Sequence, residues 1–118
     1  MKTAKILLYS LAVLTMLSFN INQVLNTSVK INVRNELGNI EEGATVQLFG
    51  SEEDYRNEKN PVTEKALTDS KGNVKFKDLE SKVYYINAQK GDKNNVGAGV
   101  QTDKLVEGKM NKLTIIIE

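Results

Sequence analysis

The sequence predicts an all-β fold, a seven-stranded Ig-like or prealbumin-like β-sandwich, and three observations lead to it. After Ser28 the apolar residues alternate with polar ones, which is the pattern of a half-buried strand. Glycine, asparagine and aspartate interrupt this alternation at short intervals, as turns require. No segment beyond that residue has the sustained period of a long helix. Two packed sheets are the natural way to bury strands that are apolar on one face.

The strands are predicted from runs whose apolar residues face one side. In chain order these are Val29, Ile31 and Val33; Ala44, Val46 and Leu48; a weaker run at 63–69; Val74 and Phe76; a run at 83–89; Val96, Ala98, Val100 and Thr102; and Leu113, Ile115 and Ile117. The turn from Asp69 to Asn73, which contains Gly72, indicates a hairpin that leads into the fourth strand. Pro61 lies in the sequence before the weaker run. Segment 51–60 is the one place where one or two helical turns are expected.

The N-terminal segment has the pattern of an export signal. Lys2 and Lys5 precede or border an uncharged apolar run at 6–19, which matches the basic and hydrophobic regions of a secretory signal. The run is shorter than the roughly 20 residues that a membrane span needs. We therefore predict a signal peptide over 1–23, or an uncleaved N-terminal anchor, with no other membrane span. One domain over 28–118 follows, and the protein is predicted to be exported to the periplasm, the cell surface or the medium.

The composition argues against most catalytic and metal chemistry. The chain has no cysteine and no histidine, so it lacks disulfides, thiolate nucleophiles and the commonest general base and zinc ligand. A formal charge of +1, from 16 basic and 15 acidic residues, gives no reason to expect a nucleic-acid partner. The acidic cluster of Glu52, Glu53, Asp54 and Glu58 lacks the spacing of a calcium-binding loop. We therefore predict a non-enzymatic protein without a metal or a cofactor.

Three segments resemble a known type of domain. They are GATVQLF at 43–49, TDSKGNVKFKDL at 68–79 and YYINAQKG at 84–91. Together they resemble the transthyretin-like, or prealbumin-like, sandwich of carboxypeptidase regulatory domains and the related bacterial Cna-B-type modules. The resemblance covers essentially all of 28–118. It implies the sandwich fold and a role as an accessory binding or structural module of bacterial exported proteins.

Two reactions found in this broad group are not expected of this chain. Its hydroxyisourate hydrolases use histidines and a C-terminal Tyr-Arg-Gly-Ser signature, whereas this sequence has no histidine and ends in IIIE. The lysine-to-asparagine bond of Cna-B-type domains would have to join Lys30 and Asn111. Lys30, however, lies on the strand face opposite Val29 and Ile31, and the 83–89 strand contains no acid to assist the bond.

The sequence therefore predicts binding rather than catalysis. We expect a module that contacts a protein or glycan of the cell envelope, as a monomer or weak dimer, through loops or a sheet edge. The candidate binding residues are Tyr55, Arg56 and Tyr84, because exposed aromatic rings suit sugar and peptide ligands. Segment 94–99, with two glycines, is a candidate for a sheet edge open to a partner strand.

Two alternatives remain open at the level of sequence. The first is a secreted inhibitor whose 51–60 loop inserts into a partner enzyme. The second is a hydrolase that uses carboxylates such as Glu52, Glu53 or Asp54. A rigid protruding loop would favour the inhibitor, and a pocket of converging buried acids would favour the hydrolase. Flat polar faces with an open edge would favour the binding module.

Overall fold

The computed structural model describes residues 26–118, and the predicted signal peptide or anchor at 1–23 lies outside them. The elements in chain order are β1 (Ser28–Asn35), β2 (Thr45–Phe49), α1 (Glu52–Asn57), β3 (Ala66–Leu67), β4 (Asn73–Phe76), β5 (Tyr85–Lys90), β6 (Lys93–Asn94) and β7 (Met110–Ile117). The strands form a three-stranded sheet in the order β4-β1-β7 and a four-stranded sheet in the order β3-β2-β5-β6. The predicted seven-stranded sandwich is confirmed. Within 26–118 no helix is long and apolar enough to span a membrane.

The core lies between the two sheets and is built from one face of each long strand. Val29, Ile31 and Val33 of β1 are completely buried, and so are the inward residues of β2. Each fully buried Val, Leu or Ile contributes roughly 1.5–3 kcal/mol relative to an exposed one. The buried core residues are Val29, Ile31, Val33, Ala44, Val46, Leu48, Val74, Phe76, Tyr84, Ile86, Ala88, Leu105, Ile115 and Ile117. The predicted inward faces of β1, β2, β4 and β7 are therefore confirmed.

Strand β1 is the centre of the three-stranded sheet. It pairs with β4 in the antiparallel sense and with β7 in the parallel sense, from Ser28 opposite Met110 to Asn35 opposite Ile117. Parallel neighbours require a long crossover connection, and here the chain passes through the whole four-stranded sheet between β1 and β7. This pairing brings the two ends of the described chain into one sheet.

The predicted hairpin before β4 is wrong, although its turn is confirmed. The Asp69 carboxylate accepts the backbone N–H groups of Lys71 and Asn73, each at 2.9 Å. However, β3 before the turn and β4 after it belong to different sheets. The turn therefore carries the chain across the sandwich. It needs Gly72, whose φ is +78° and where an added Cβ would lie 2.9 Å from the Val33 carbonyl oxygen.

The predicted sixth strand is also wrong. Strand β6 covers only Lys93–Asn94, and the chain then turns at 96–98, where Val96 is 66% exposed. Gly97 and Gly99 have φ values of +85° and +118°, which a regular strand does not accommodate. The weak third strand is likewise reduced to Ala66–Leu67. The predicted strand is therefore a turn at 96–98, and only its end, near Gln101, pairs with the start of β5.

Candidate functional site

A groove of about 510 Å³ lies on the outer side of the four-stranded sheet, between α1 and the loop that follows β6. Its lining consists of Glu52, Tyr55, Arg56, Glu58, Asn87, Gln89, Asn94, Val96, Gly97 and Val100. We call this surface the helix groove. One wall is α1, the floor is the outer face of β5, and the other wall is the segment 94–100.

The first wall exists because the acidic cluster suits the start of a helix. Ser51 caps α1, and its hydroxyl accepts the backbone N–H of Asp54 at 3.2 Å. Acidic residues in the first turn are stabilised by the positive end of the helix dipole. Glu52 also forms an ion pair with Arg56 one turn later. The local structure therefore gives a role in the helix to the carboxylates that the sequence left open for a hydrolase.

Aromatic side chains attach α1 to the sheet. Leu48 points into the core, so its neighbour Phe49 points outward, yet Phe49 is only 1% exposed because α1 covers it. The ring of Tyr55 meets Phe49 edge to face at 6.1 Å and lies 6.3 Å from the ring of Tyr85. Partial burial raises the pKa of the Tyr55 hydroxyl, and the negative charge of Glu58 raises it further. Tyr55 is therefore a neutral anchor of this wall.

The second wall is held by Asn95, which is completely buried. Its side-chain oxygen accepts the backbone N–H of Ala88 at 3.0 Å, and its nitrogen donates to the carbonyls of Ile86 at 2.9 Å and Gly99 at 3.0 Å. The side chain thus takes the place of a strand residue beside β5. Past the loop the backbone resumes pairing, because the Ile86 N–H donates to the Val100 carbonyl at 2.7 Å.

This arrangement closes the edge that the sequence predicted to be open. Strand β6, the Asn95 side chain and the backbone near Val100 occupy successive positions along β5. On the other side of the segment Asn94 exchanges backbone hydrogen bonds with Glu118, and 96–98 form a turn. Segment 94–99 therefore lacks the free, extended backbone that a partner strand needs. The sequence pattern missed Asn95 as a structural residue of the site, since a single asparagine in a glycine-rich loop looks like any turn residue.

The floor of the helix groove is polar and uncharged. Asn87 and Gln89 project outward from β5, on the face opposite the buried Ile86 and Ala88. The amide nitrogen of Asn87 donates to the Glu58 carboxylate at 3.3 Å. Amide side chains offer both donors and acceptors, so the floor can hydrogen-bond to hydroxyl or peptide groups of a ligand.

The structure brings together two of the three candidate binding residues. Tyr55 and Arg56 both line the helix groove. Tyr84 is 4% exposed and belongs to the core, where its hydroxyl accepts the backbone N–H of Glu80 at 2.9 Å. The alternation of β5 explains the difference, since it turns Tyr84 inward and leaves Tyr85 partly exposed beside Tyr55. Tyr85 therefore has the outward orientation expected of Tyr84, next to Tyr55 but outside the lining of the helix groove.

One buried carboxylate, that of Glu41, lies near the C-terminal end of β5, where it contacts Lys90. Glu41 is 8% exposed and accepts a hydrogen bond from the Lys90 ammonium at 3.0 Å, with Lys93 at 3.5 Å. The Lys90 hydrogen bond and the two positive charges lower the pKa of Glu41, against the opposing effect of burial. In the described part of the chain no three acidic side chains are grouped so as to hold a metal ion.

Lys30 and Asn111, the two residues that a lysine-to-asparagine bond would have to join, are not paired in the three-stranded sheet. The Asn111 amide nitrogen donates to the carbonyls of Ser28 at 3.0 Å and Val106 at 3.1 Å, which fastens the loop before β7. Asn111 lies opposite Val29 rather than opposite Lys30, whose partner on β7 is Lys112. Lys30 projects from the outer face, as its alternation with Val29 predicted.

Comparison with known proteins adds a likeness of fold. A scan against protein-family models finds no match for this chain, and a search of curated proteins finds none. Among solved structures the chain is similar to BcpA, the major pilin subunit of Bacillus cereus, with a TM-score of 0.52 and 17% identity over 80% of this chain. The Bacillus anthracis TIE protein matches 78% of the chain, with a TM-score of 0.48 and 16% identity. The chain spans 30% of the BcpA chain and 16% of the TIE chain. The fold is a β-sandwich that also occurs in BcpA.

Proposed function

We propose that the protein is an exported, non-enzymatic structural or binding module of the bacterial envelope or extracellular space, of the transthyretin-like or Cna-B type. The observation that carries the proposal is the helix groove. Its walls are fixed by packing and by buried hydrogen bonds, while its floor offers uncharged amides beside the Tyr55 ring. A groove of this chemistry suits an extended polar chain, such as a peptide or a glycan strand.

The acids of the helix groove support binding over hydrolysis. Glu52 is paired with Arg56, and Glu58 accepts a hydrogen bond from Asn87. Catalysis by two carboxylates requires that they face each other across a substrate, with environments that separate their pKa values. These two acids are held on the helix wall by neighbours of their own, so a role in positioning a ligand fits them better.

The form of segment 51–60 supports the binding module over an inhibitor. An inhibitory loop has to project from the domain, whereas residues 52–57 form α1 and lie against the sheet through Tyr55 and Phe49. The likeness of fold to a pilin subunit is in keeping with a place outside the cytoplasm, as is the apolar segment 6–19.

The proposal is tested by photo-crosslinking in living cells. A photoreactive amino acid replaces Val96, which is 66% exposed at the helix groove, in the full chain expressed in its native cell envelope. The matched control replaces Val106, which is 53% exposed outside the helix groove. We expect an envelope protein or glycan to crosslink at position 96 and not at 106. A protein confined to the cytosol, or equal crosslinking at both positions, would contradict the proposal.

A further inference from the structure

Three lysines lie side by side on the outer face of the three-stranded sheet. Lys30 of β1 is directly opposite Lys75 of β4 and directly opposite Lys112 of β7. Neighbouring strands are about 4.8 Å apart, so the three side chains start from a line roughly 10 Å long. All three point away from the core, because the residues next to them in β1 and β4 are buried. We call these three residues the lysine row.

The lysine row lowers the stability of the isolated domain. Like charges directly opposite each other on neighbouring strands destabilise a sheet. Within residues 26–118 every ion pair lies elsewhere, at Arg56 with Glu52 and at Lys90 and Lys93 with Glu41. Asp69 is the acid in the turn beside the row, and its carboxylate accepts backbone N–H groups of that turn. Besides these two hydrogen bonds, the positive charge of Lys30 also lowers the pKa of the Asp69 carboxyl. Lys75 and Lys112 have no such acid among their partners, and no acid forms an ion pair with the row, so the described part of the chain compensates the repulsion only in part.

The surface around the lysine row is shaped to receive a chain. A depression of about 330 Å³ reaches from Lys30 to Lys112 and Thr114, and another of about 310 Å³ lies between Lys75, Lys77 and Met110. Neither depression is lined by an aromatic or an acidic side chain. The chain as a whole carries a formal charge of +1, so the row is a local concentration of positive charge.

An arginine and two neutral amides accompany the lysine row. Arg34 is held in place because its Nε donates to the Asn32 side chain at 2.7 Å and a terminal nitrogen donates to the Gly38 carbonyl at 2.9 Å. The Asn32 amide in turn donates to the Asn73 side chain at 2.8 Å. This network forms a rigid polar floor next to the row, with the Thr114 hydroxyl on its far side.

We propose that the lysine row binds an anionic polysaccharide. The three ammonium groups would contact successive negative groups of the polymer, and the neighbouring amide and hydroxyl groups would contact its sugar hydroxyls. A single-stranded nucleic acid fits less well, because its recognition relies on aromatic rings that stack on the bases. The site is on the sheet opposite the helix groove, so it does not depend on the function proposed for that groove.

The test compares two variants of equal net charge. The row variant is Lys30→Gln, Lys75→Gln, Lys112→Gln. The control variant is Lys59→Gln, Lys65→Gln, Lys104→Gln, in exposed connections. Each protein is purified after expression of the full-length gene, and its binding to polygalacturonate, neutral dextran and single-stranded DNA is measured at low and high salt. Thermal unfolding of each protein is recorded alongside.

We expect polygalacturonate to bind, neutral dextran not to bind, and salt to weaken the complex. The row variant should bind about tenfold more weakly than the unchanged protein, as the loss of three exposed charge contacts implies, while the control variant stays within about twofold. The row variant should unfold at the same temperature or higher, because the repulsion is relieved. Equal losses in both variants, a lower unfolding temperature of the row variant, or tighter row-dependent binding of DNA would overturn the proposal.

Discussion

Replacement of Asn95 by alanine removes the one side chain that joins the second wall of the helix groove to β5. The substitution takes away three hydrogen bonds, to the Ala88 N–H and to the carbonyls of Ile86 and Gly99. Ala88 and Ile86 are completely buried, so water cannot replace the lost partner without opening the loop. The backbone N–H of Asn95 still donates to the Ala88 carbonyl at 3.2 Å, which keeps part of the attachment.

The expected loss of stability in the Asn95→Ala variant follows from these contacts. A typical hydrogen bond contributes about 1 kcal/mol net, so three of them amount to about 3 kcal/mol. A domain of this size loses about 4–8 °C in Tm for each kcal/mol, which predicts a decrease of roughly 12–24 °C. Asn95→Asp should be no better, because a carboxylate accepts from Ala88 but repels the two carbonyl oxygens.

Urea unfolding followed by circular dichroism measures this loss. Asn57→Ala is the matched control, since Asn57 is exposed on α1 and its replacement should change stability by less than about 0.5 kcal/mol. A loss below about 1 kcal/mol for Asn95→Ala would refute the reasoning, because it would mean that the three bonds are not made or are replaced by water.

Three further predictions concern other parts of the fold. Glu41→Gln should lower the urea midpoint at neutral pH, and the difference should disappear in acid. The pKa of the Glu41 carboxyl is lowered on folding, so its ionised form stabilises the protein above the pKa of the unfolded chain. This stabilisation is lost as the pH falls through the pKa of the folded protein. A difference in urea midpoint that stays constant with pH would contradict the prediction. Gly72→Ala should destabilise the protein by at least about 1 kcal/mol more than Gly43→Ala. Both glycines have positive φ, but only at Gly72 would a Cβ meet other atoms, at 2.7 Å from Ile40; equal urea midpoints would refute the clash. Tyr55→Ala should cost about 1–3 kcal/mol and reduce hydrogen-exchange protection of α1, because two aromatic contacts are lost; unchanged protection would show that the rings do not hold α1.

The sequence by itself determined the inward faces of the long strands and the chemistry of the turns. Burial of Val29, Ile31 and Val33 follows from a period of two, which is a local property of the chain. The turn at Asp69 is likewise local, since its carboxylate reaches only the backbone of the next few residues. Tyr55 was found as a site candidate because it is an aromatic residue in a polar segment.

The identity of the partner of each strand was decided by the tertiary structure. Sequence alternation does not say that β4 crosses to the other sheet, and the predicted hairpin failed for that reason. Alternation also does not distinguish a strand from a loop in which an asparagine side chain bonds to the neighbouring strand. The predicted sixth strand was wrong for this reason, because the Asn95 side chain bonds to β5 in place of a strand backbone.

The lysine row shows most clearly the difference between what the sequence predicts and what the tertiary structure decides. Each of its residues is an ordinary surface lysine when its own segment is considered, partly exposed at Lys30 and exposed at Lys75 and Lys112, and alternation correctly turns each one outward. Their alignment depends on the register of β1 against β4 and β7, which lie far apart in the chain. Periodicity acts over a few residues through the geometry of the backbone, whereas register is set by the packing of the whole core, and only the folded sandwich contains that information.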